Sequence, residues 1–533
     1  MTVANQTKST LRQLTEEVRL QEEKLREGGG EKGRERQRRH GRLTVRERLD
    51  KLLDPGAFFQ ELQLWAAYGM YADWGEVPAA GVVTGVGKVS GRDFMIIAND
   101  ATVKAGAMFP QSAKKILRAQ RIAFECRLPI IYLVDSAGVF LPMQDEIFPD
   151  EDDFGRIFRN NSVISAAGIP QYAAIMGNCI AGGGYLPVLC DKLLMTKGSS
   201  LNLAGPALVK AAIGHDVDPE ALGGAEMHAS ISGTVDFLEE DDDACLRRLR
   251  ELADMLPEDA VSSEDFQTER SADHVYDLIE APYDARELLS CIVDRGSLQE
   301  YKAEYGKTLV TGFAKIQGHP VGVIANQRLQ TKTGKGEVEI GGVIYTDSAD
   351  KAARFVMDCN QTKVPIIFFQ DVMGFMVGEA AEQAGIIRSG AKLVNAVSNS
   401  IVPKITVVVG SSFGAGNYAL CGKAYDPNFL FAWPNAKYAV MGADQAAGTL
   451  MGIRAKQAER EGHPLDDEEN SRLFEEVRQT YARQMDIRYG AARGWIDAII
   501  EPHETRSVLA NCLRLVKRAP LREKTFHTGV MQV

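Results

Sequence analysis

The sequence predicts two tandem copies of an α/β layered domain, and three collinear internal matches carry that prediction. RLPIIYLVDSAGVFLP (127–142) aligns with KVPIIFFQDVMGFMVG (363–378), pairing Pro129 with Pro365, Asp135 with Asp371 and Gly138 with Gly374. IPQYAAIMGNCIAGGGY (169–185) aligns with VPKITVVVGSSFGAGNY (402–418), and VTGVGKVSGRDFMIIAN (83–99) with VTGFAKIQGHPVGVIAN (310–326). The offsets are 236, 233 and 227 in that order, so the matched segments follow one another identically in both halves. That is the signature of a duplicated chain.

Within each copy, the apolar runs IIYLVD, YAAIMG, IIFFQD and ITVVVG are bounded by glycine or proline and read as buried strands. Between them lie helical patterns such as SAKKILRAQRIAFEC (112–126) and SADKAARFVMDCNQT (348–362). Strands alternating with helices imply βαβ units with right-handed crossovers. The rise in offset from 227 to 236 places nine extra residues in the second copy, between Asn326 and Pro365. The polar, glycine-broken QTKTGKGEVE (330–339) is the natural place for them, as a surface loop. PEDAVSSEDFQTERSAD (257–273) is polar and unpatterned, which reads as a linker. The expected domains are therefore 1–260 and 276–533, joined by 261–275.

Composition narrows the class. With 533 residues, 45% hydrophobic and 25% charged, the chain has the make-up of a soluble globular protein. A net charge of −11 speaks against nucleic acid as a partner. No apolar run approaches the roughly 20 residues that span a bilayer, so no membrane association is expected. The opening MTVANQTKSTLRQLTEEV has neither the apolar stretch of a secretory signal nor the acid-poor make-up of a transit peptide. The eight cysteines form no CxxC pair, so neither a zinc ribbon nor a disulfide framework is indicated. The expectation is a cytoplasmic protein without a metal.

Two glycine turns draw attention: GNCIAGGGYLP (177–187) and GSSFGAGNYAL (410–420). Each follows an apolar strand and leads into a helical pattern. Glycine lets the backbone approach a ligand closely and leaves amide N–H groups open, an arrangement that can bind a developing oxyanion. One such turn alone is equally a tight strand-to-helix crossing. Its recurrence at the same place in both copies selects the functional reading, and two oxyanion sites suit a reaction with two carbonyl-derived anions.

Side-chain catalysts are scarce. There is no HExxH motif and no P-loop. His228, in GGAEMHAS, has the most suggestive setting among the histidines, although a satisfied structural imidazole is the simpler reading. Cys179 sits beside the first turn and by default is a small buried thiol. The basic stretch KLREGGGEKGRERQRRHGRLTVRERLD (24–50) is either a solvated helix or a contact for phosphates or a partner chain, through Arg38, Arg39 and Arg42.

With these residues in view, the chain resembles the carboxyltransferase (β) subunits of biotin-dependent acyl-CoA carboxylases, with methylcrotonyl-CoA carboxylase the nearest branch in pattern. The strings that carry the resemblance include PAAGVVTGVGKVSG, IIANDATVKAG, LPIIYLVDSAG, LAGPALVKAA, LGGAEMH, YGKTLVTGFAKI, GAGNYALCGKAYDPNFLFAWPNA and VMGADQAAG, spread over roughly residues 20 to 515. The resemblance implies a tandem duplication of the crotonase-like (ClpP/crotonase superfamily) β-β-α spiral domain. It also implies a homohexamer built as a trimer of dimers, with each active site formed by one subunit's N-domain and another's C-domain. On the acyl-CoA side it points to Ala181, Gly182 and Gly183, and on the biotin side to Ala415 and Gly416 supported by Phe413 and Gly414. Ser136, Ala137 and Gly138 are implied in acyl-CoA binding, with Tyr185 and Tyr418 as pocket walls.

In such enzymes carboxybiotin serves both as CO₂ donor and, after losing CO₂, as the base, which accounts for the absence of an evident protein base. No biotinyl-lysine motif or ATP-binding domain is evident here, so the resemblance implies a partner chain bearing biotin carboxylase and biotin carrier domains. The chain reads DSAGVF and LPMQ where the methylcrotonyl branch often reads DSGGA and LPRQ. An AGGGY string after FRN is similar to the α subunit of glutaconyl-CoA decarboxylase. Acyl group and direction thus stay open, with decarboxylation as one alternative. A crotonase-type hydratase, which needs a side-chain acid/base, and a non-catalytic assembly subunit are the others.

Overall fold

The apolar runs become the central strands of two sheets. In the computed structural model, residues 10–214, 216–254, 256, 266–333, 336–460 and 467–518 are described. Residues 261–265 of the expected linker lie outside them. The chain divides into two units: an N unit of Leu20–Ser262 with Ala491–Gly494, and a C unit of Met1–Arg19, Ser263–Gly490 and Trp495–Val533.

The N unit holds β1 (Gln60–Leu62), β2 (Val82–Val89), β3 (Arg92–Asn99), β4 (Ile130–Ser136), β5 (Gln171–Ile180), β6 (Lys192–Thr196), β7 (Ser200–Asn202) and β8 (Phe237–Glu239). They form one sheet in the order β1-β2-β3-β4-β5-β6-β8, with β7 beside the end of β5. The β1–β2 and β2–β3 pairs are antiparallel, and every later pair is parallel.

The C unit continues with β9 (Gln299–Glu300), β10 (Leu309–Ile316), β11 (His319–Asn326), β12 (Thr331–Lys332), β13 (Val338–Glu339), β14 (Val343–Ile344), β15 (Ile366–Val372), β16 (Gly374–Phe375), β17 (Lys404–Phe413), β18 (Phe429–Ala432), β19 (Lys437–Ala439) and β20 (Ala498–Ile499). Its main sheet runs β9-β10-β11-β15-β17-β18-β20, with β19 beside β17. Strand for strand, order and sense repeat those of the N unit. The nine-residue surplus falls on an antiparallel hairpin, β12–β13, without a counterpart among the described residues of the N unit; residues 334 and 335 lie outside the described residues.

The crossover helices repeat as well. In helix Pro110–Cys126, Ser112 Oγ accepts the amide of Phe109 at 2.9 Å; in Thr346–Thr362, Ser348 Oγ accepts that of Tyr345 at 2.9 Å. Capping of this kind satisfies amides that the first turn leaves free. Both helices end on a left-handed residue, Arg127 (φ 51°) and Lys363 (φ 59°).

Each helix buries one apolar stripe against its sheet, Ile116, Ala119 and Ile122 in one, Ala352, Phe355 and Val356 in the other. Full burial of a large aliphatic or aromatic side chain stabilises by about 1.5–3 kcal/mol. Among the described residues, no helix is long and apolar enough to cross a membrane. Nor, among them, does any group of three or more His, Cys, Asp or Glu stand ready for a metal ion.

Candidate active site

Both units bring the same construction to the end of their longest parallel strand. In the N unit, β4 and β5 run in register until Val134, where the pairing slips before resuming at Ser136 with Cys179. Asp135 sits in that irregularity, 3% exposed. Its Oδ1 accepts the amide of Asn178 at 3.2 Å, and its Oδ2 accepts Gln37 Nε2 at 3.1 Å. Arg48 lies 3.5 Å and Arg42 3.8 Å from the carboxylate. Gly177 is obligatory here, because a Cβ would fall 2.1 Å from Asp135 Cγ.

Three residues past Asn178 the chain turns. Ala181 takes a left-handed φ of 58°, an uncommon choice for a residue with a Cβ. The short 3₁₀ turn Ala181–Gly184 then runs into the helical turn Tyr185–Val188. The first amides of such a turn have no acceptor within it. Phe154 lies over this backbone, 3.6 Å from where a Cβ of Gly182 would stand. With Phe158 and the half-exposed Tyr185, whose rings are 6.0 Å apart, it forms an apolar wall beside the turn.

The C unit repeats the plan. Pairing of β15 with β17 slips between Gln370 and Val372, at Asp371. Asp371 Oδ1 accepts the amide of Ser411 at 2.8 Å, and Oδ2 accepts the hydroxyl of Tyr283 at 3.2 Å. Arg328 Nε stands 3.2 Å from the same carboxylate. Burial pushes this carboxyl above the usual range, against the pull of Arg328. Gly410 leaves room for it, since a Cβ there would lie 2.4 Å from Asp371 Cγ.

Gly414 follows with φ 55° and ψ −144°, and its amide donates to Ala439 O on β19 at 3.0 Å. Ala415 and Gly416 open the helical turn Ala415–Ala419. Phe413, 9% exposed, is the last residue of β17 and anchors the turn, while Tyr418 stands half exposed with Tyr425 5.8 Å away.

Several residues singled out by sequence are committed to internal contacts. Ser136 Oγ donates to Gly106 O at 2.7 Å and accepts the Gly138 amide at 3.1 Å, which leaves Ala137 as the exposed residue of that bend. His228 Nε2 lies 2.6 Å from Leu201 O and Nδ1 lies 2.9 Å from Ser232 Oγ. A carbonyl only accepts, so the proton is on Nε2. The imidazole therefore braces β7 and offers no base to the turn. Cys179 is 1% exposed, and burial pushes its thiol up to about 12, so it is no nucleophile at neutral pH. Arg42 donates to Gly198 O at 2.8 Å and faces Asp135, whereas Arg38 and Arg39 are solvent-exposed beside Glu31 and Glu35.

Comparison with known proteins gives the family. Residues 36–529 match the carboxyl transferase domain family. The chain belongs to that family. It is 46% identical over 505 residues to the biotin-dependent 3-methylcrotonyl-coenzyme A carboxylase beta1 subunit of Mycobacterium tuberculosis, covering 93% of this chain and 92% of that one. It is 43% identical over 528 residues to the mitochondrial methylcrotonoyl-CoA carboxylase beta chain of Arabidopsis thaliana, covering 96% and 87%. The crystal structure of the P. aeruginosa geranyl-CoA carboxylase beta subunit superposes with a TM-score of 0.84 at 33% identity over the whole of both chains.

The protein is thus a carboxyltransferase β subunit of the biotin-dependent acyl-CoA carboxylases, an enzyme with the duplicated crotonase-like fold. Two features of this carboxyltransferase escaped the sequence reading. One is the pair Asp135 and Asp371, whose equivalence the repeat displays but whose link to the turns it does not. The other is the aromatic wall of Phe154 and Phe158, supplied by a helix, Phe154–Ala166, with no counterpart among the matched segments.

Proposed function

We propose that this subunit transfers CO₂ from carboxybiotin to methylcrotonyl-CoA or another short or branched acyl-CoA, with each glycine turn serving one anion. The observation that carries this reading is the recurrence of the same exposed turn, after the same strand, in both units. In the N-domain the amides of Gly182 and Gly183, with Ala181 setting their direction, hold the thioester oxygen as the enolate forms. In the C-domain those of Ala415 and Gly416, oriented by Phe413 and Gly414, hold the ureido oxygen of biotin. Ala415 is exposed and its amide opens the helical turn, which suits a planar carbonyl arriving from outside.

A preorganised amide of this kind is worth about 2.7–4 kcal/mol in the transition state. When bound, carboxybiotin borne by a partner chain would supply both the carboxyl group and, once decarboxylated, the base that takes the acyl-CoA proton, from the γ-carbon of methylcrotonyl-CoA or from the α-carbon of a saturated acyl-CoA. This chain's own share is positioning: Ala137 with Ser136 and Gly138 lies beside the acyl-CoA path, and Tyr185 and Tyr418 wall the two turns. The Phe154–Phe158 wall excludes water from the enolate, strengthening the amide contacts.

In the assembly we propose, a biotin carboxylase/biotin carrier subunit works in the cytoplasm with a homohexamer of this chain. One subunit's N-domain turn meets another's C-domain turn. The test is to incubate the purified chain with free biotin and a panel of malonyl-, methylmalonyl-, 3-methylglutaconyl- and glutaconyl-CoA, and to follow biotin-dependent loss of CO₂ by mass spectrometry. Selective turnover of 3-methylglutaconyl-CoA is expected. Turnover of glutaconyl-CoA alone would assign the decarboxylase direction, and hydration of crotonyl-CoA in its place would overturn carboxyl transfer.

A further inference from the structure

Two buried carboxylates repeat along with the turns, and nothing in the chemistry above uses them. Asp135 and Asp371 are 236 residues apart, the offset of the duplication. Each occupies the slip between two parallel strands. The backbone amide of each is held by an asparagine side chain, Asn99 Oδ1 at 3.4 Å and Asn326 Oδ1 at 3.0 Å, themselves 227 apart as the upstream match requires. Each accepts one main-chain amide from the neighbouring strand, that of Asn178 or Ser411, three residues before the left-handed residue that starts the turn. Each faces arginine, and each sits where a glycine has no Cβ.

We propose that Asp135 and Asp371 are positioning residues, each fixing the direction in which one strand delivers its turn, so that the two carboxylates act on two different substrates. An amide in the slip of a parallel pair has lost its ladder partner, and a buried unpaired N–H is costly. A carboxylate is the strongest acceptor available to hold it, and the hydrogen bond is charge-assisted. The surrounding groups then fix the carboxylate itself. Gln37, Arg42 and Arg48 do so in the N unit, Tyr283 and Arg328 in the C unit, so the two braces share an acceptor but not a donor set. With the amide of Asn178 or Ser411 held, little slack remains over the three residues that lead into the turn.

A role confined to stability would weaken both substrates alike, whereas positioning divides the effect. The proposal rests on the assignment of acyl-CoA to the N-domain turn and biotin to the C-domain turn. The experiment uses the biotin-dependent decarboxylation assay on the whole chain with Asp135→Asn, Asp371→Asn, Gly177→Ala and Gly410→Ala. The glycine variants displace the same carboxylates by contact and leave their charge in place. Asp135→Asn and Gly177→Ala are expected to raise KM for the acyl-CoA at least tenfold while KM for free biotin stays within twofold. Asp371→Asn and Gly410→Ala are expected to do the reverse.

Equal changes in both KM values, or none, in variants with native circular dichroism would overturn the proposal. Failure of both asparagine variants to fold would assign the carboxylates to stability alone and overturn it as well. An inactive wild-type chain would instead count against the carboxyltransferase half-reaction itself, so the two failures are distinguishable.

Discussion

The two turns stand at equivalent places in the duplication and differ in what holds them. In the C unit, Ser412 Oγ donates to Gln370 Oε1 at 2.6 Å and accepts Asn417 Nδ2 at 2.8 Å, while Gln370 Nε2 reaches Leu420 O at 2.7 Å. The equivalent positions in the N unit are Val134, Cys179 and Gly184, which have no polar side chain to form such a latch. There the turn is closed instead by apolar contact, with Leu201 and Phe154 against its glycines. The entry residue differs too: Ala181 at φ 58° stands where the C unit has Gly414 at φ 55°. A glycine turn with a positive-φ entry residue thus follows the same strand in both units, on two unrelated sets of side chains.

The comparison breaks most sharply at Gly416. A Cβ there would lie 2.5 Å from Val372 Cγ2, on a fully buried strand residue that has nowhere to move. At Gly183, its equivalent, the nearest atom would be Phe154 Cζ at an ordinary 3.9 Å. Gly416→Ala should therefore cost about 1–3 kcal/mol of stability through overpacking and, by displacing an amide, roughly a hundredfold in kcat. Gly183→Ala should leave the melting temperature unchanged. Thermal denaturation beside steady-state kinetics separates the two.

The latch provides the next test. Ser412→Ala leaves Gln370 Oε1 buried without its donor, at a cost of about 1–3 kcal/mol. Cys179→Ala breaks no such network and should cost about 1 kcal/mol or less, as read by urea denaturation. If both variants lose the same stability, the distinction between a polar and an apolar turn is wrong.

Tyr418 and Tyr185 stand half exposed at equivalent places, 233 residues apart. Tyr418→Ala should change the ratio of kcat/KM between a straight and a branched acyl-CoA by about tenfold, within the range that one or two methylenes command. An unchanged ratio would remove Tyr418 from the pocket wall.

The smallest effect distinguishes the buried lysines of the crossover helices. Lys115, near Glu61, Arg46 and Asp100, is pushed down to about 7 by burial, and Lys351, near Glu300, Arg286, Asp347 and Lys302, to about 8. A lysine whose folded-state pKa lies below its unfolded value leaves the unfolded chain binding more protons between the two values. Stability then rises with pH across that window, from about 7 for Lys115 and from about 8 for Lys351. Between pH 7 and 8 the contribution is mainly that of Lys115, at most about 1 kcal/mol per pH unit. Lys115→Met should flatten the pH dependence of urea denaturation there, and Lys351→Met should flatten it only above pH 8.

Much of this was legible in the sequence because a duplication repeats local patterns. Apolar runs and glycine turns recur at fixed offsets, so the four runs that become β4, β5, β15 and β17, and the turns that follow β5 and β17, stand out from the sequence. The surplus at 330–339 was placed correctly but reads as a surface loop, whereas Thr331–Lys332 and Val338–Glu339 pair as the β12–β13 hairpin. What stayed hidden depends on long-range pairing. Arg42 reads as a solvated cation within its basic stretch, yet it is folded back toward Asp135, 93 residues on in sequence. β7 and β19 are three residues each and largely polar, so periodicity does not reveal them; they exist because β5 and β17 offer an edge. Ser136 carries the hydroxyl a binding residue would need, but the left-handed bend at Gly138 returns that bend's amide to it.

The most direct test of the central claim, one turn for each anion, is a structure of the assembled enzyme with acyl-CoA and biotin bound. The thioester oxygen is expected about 3 Å from the amides of Gly182 and Gly183, and the ureido oxygen at a similar distance from those of Ala415 and Gly416. Both ligands at a single turn, or a thioester oxygen held by side chains away from either, would contradict it.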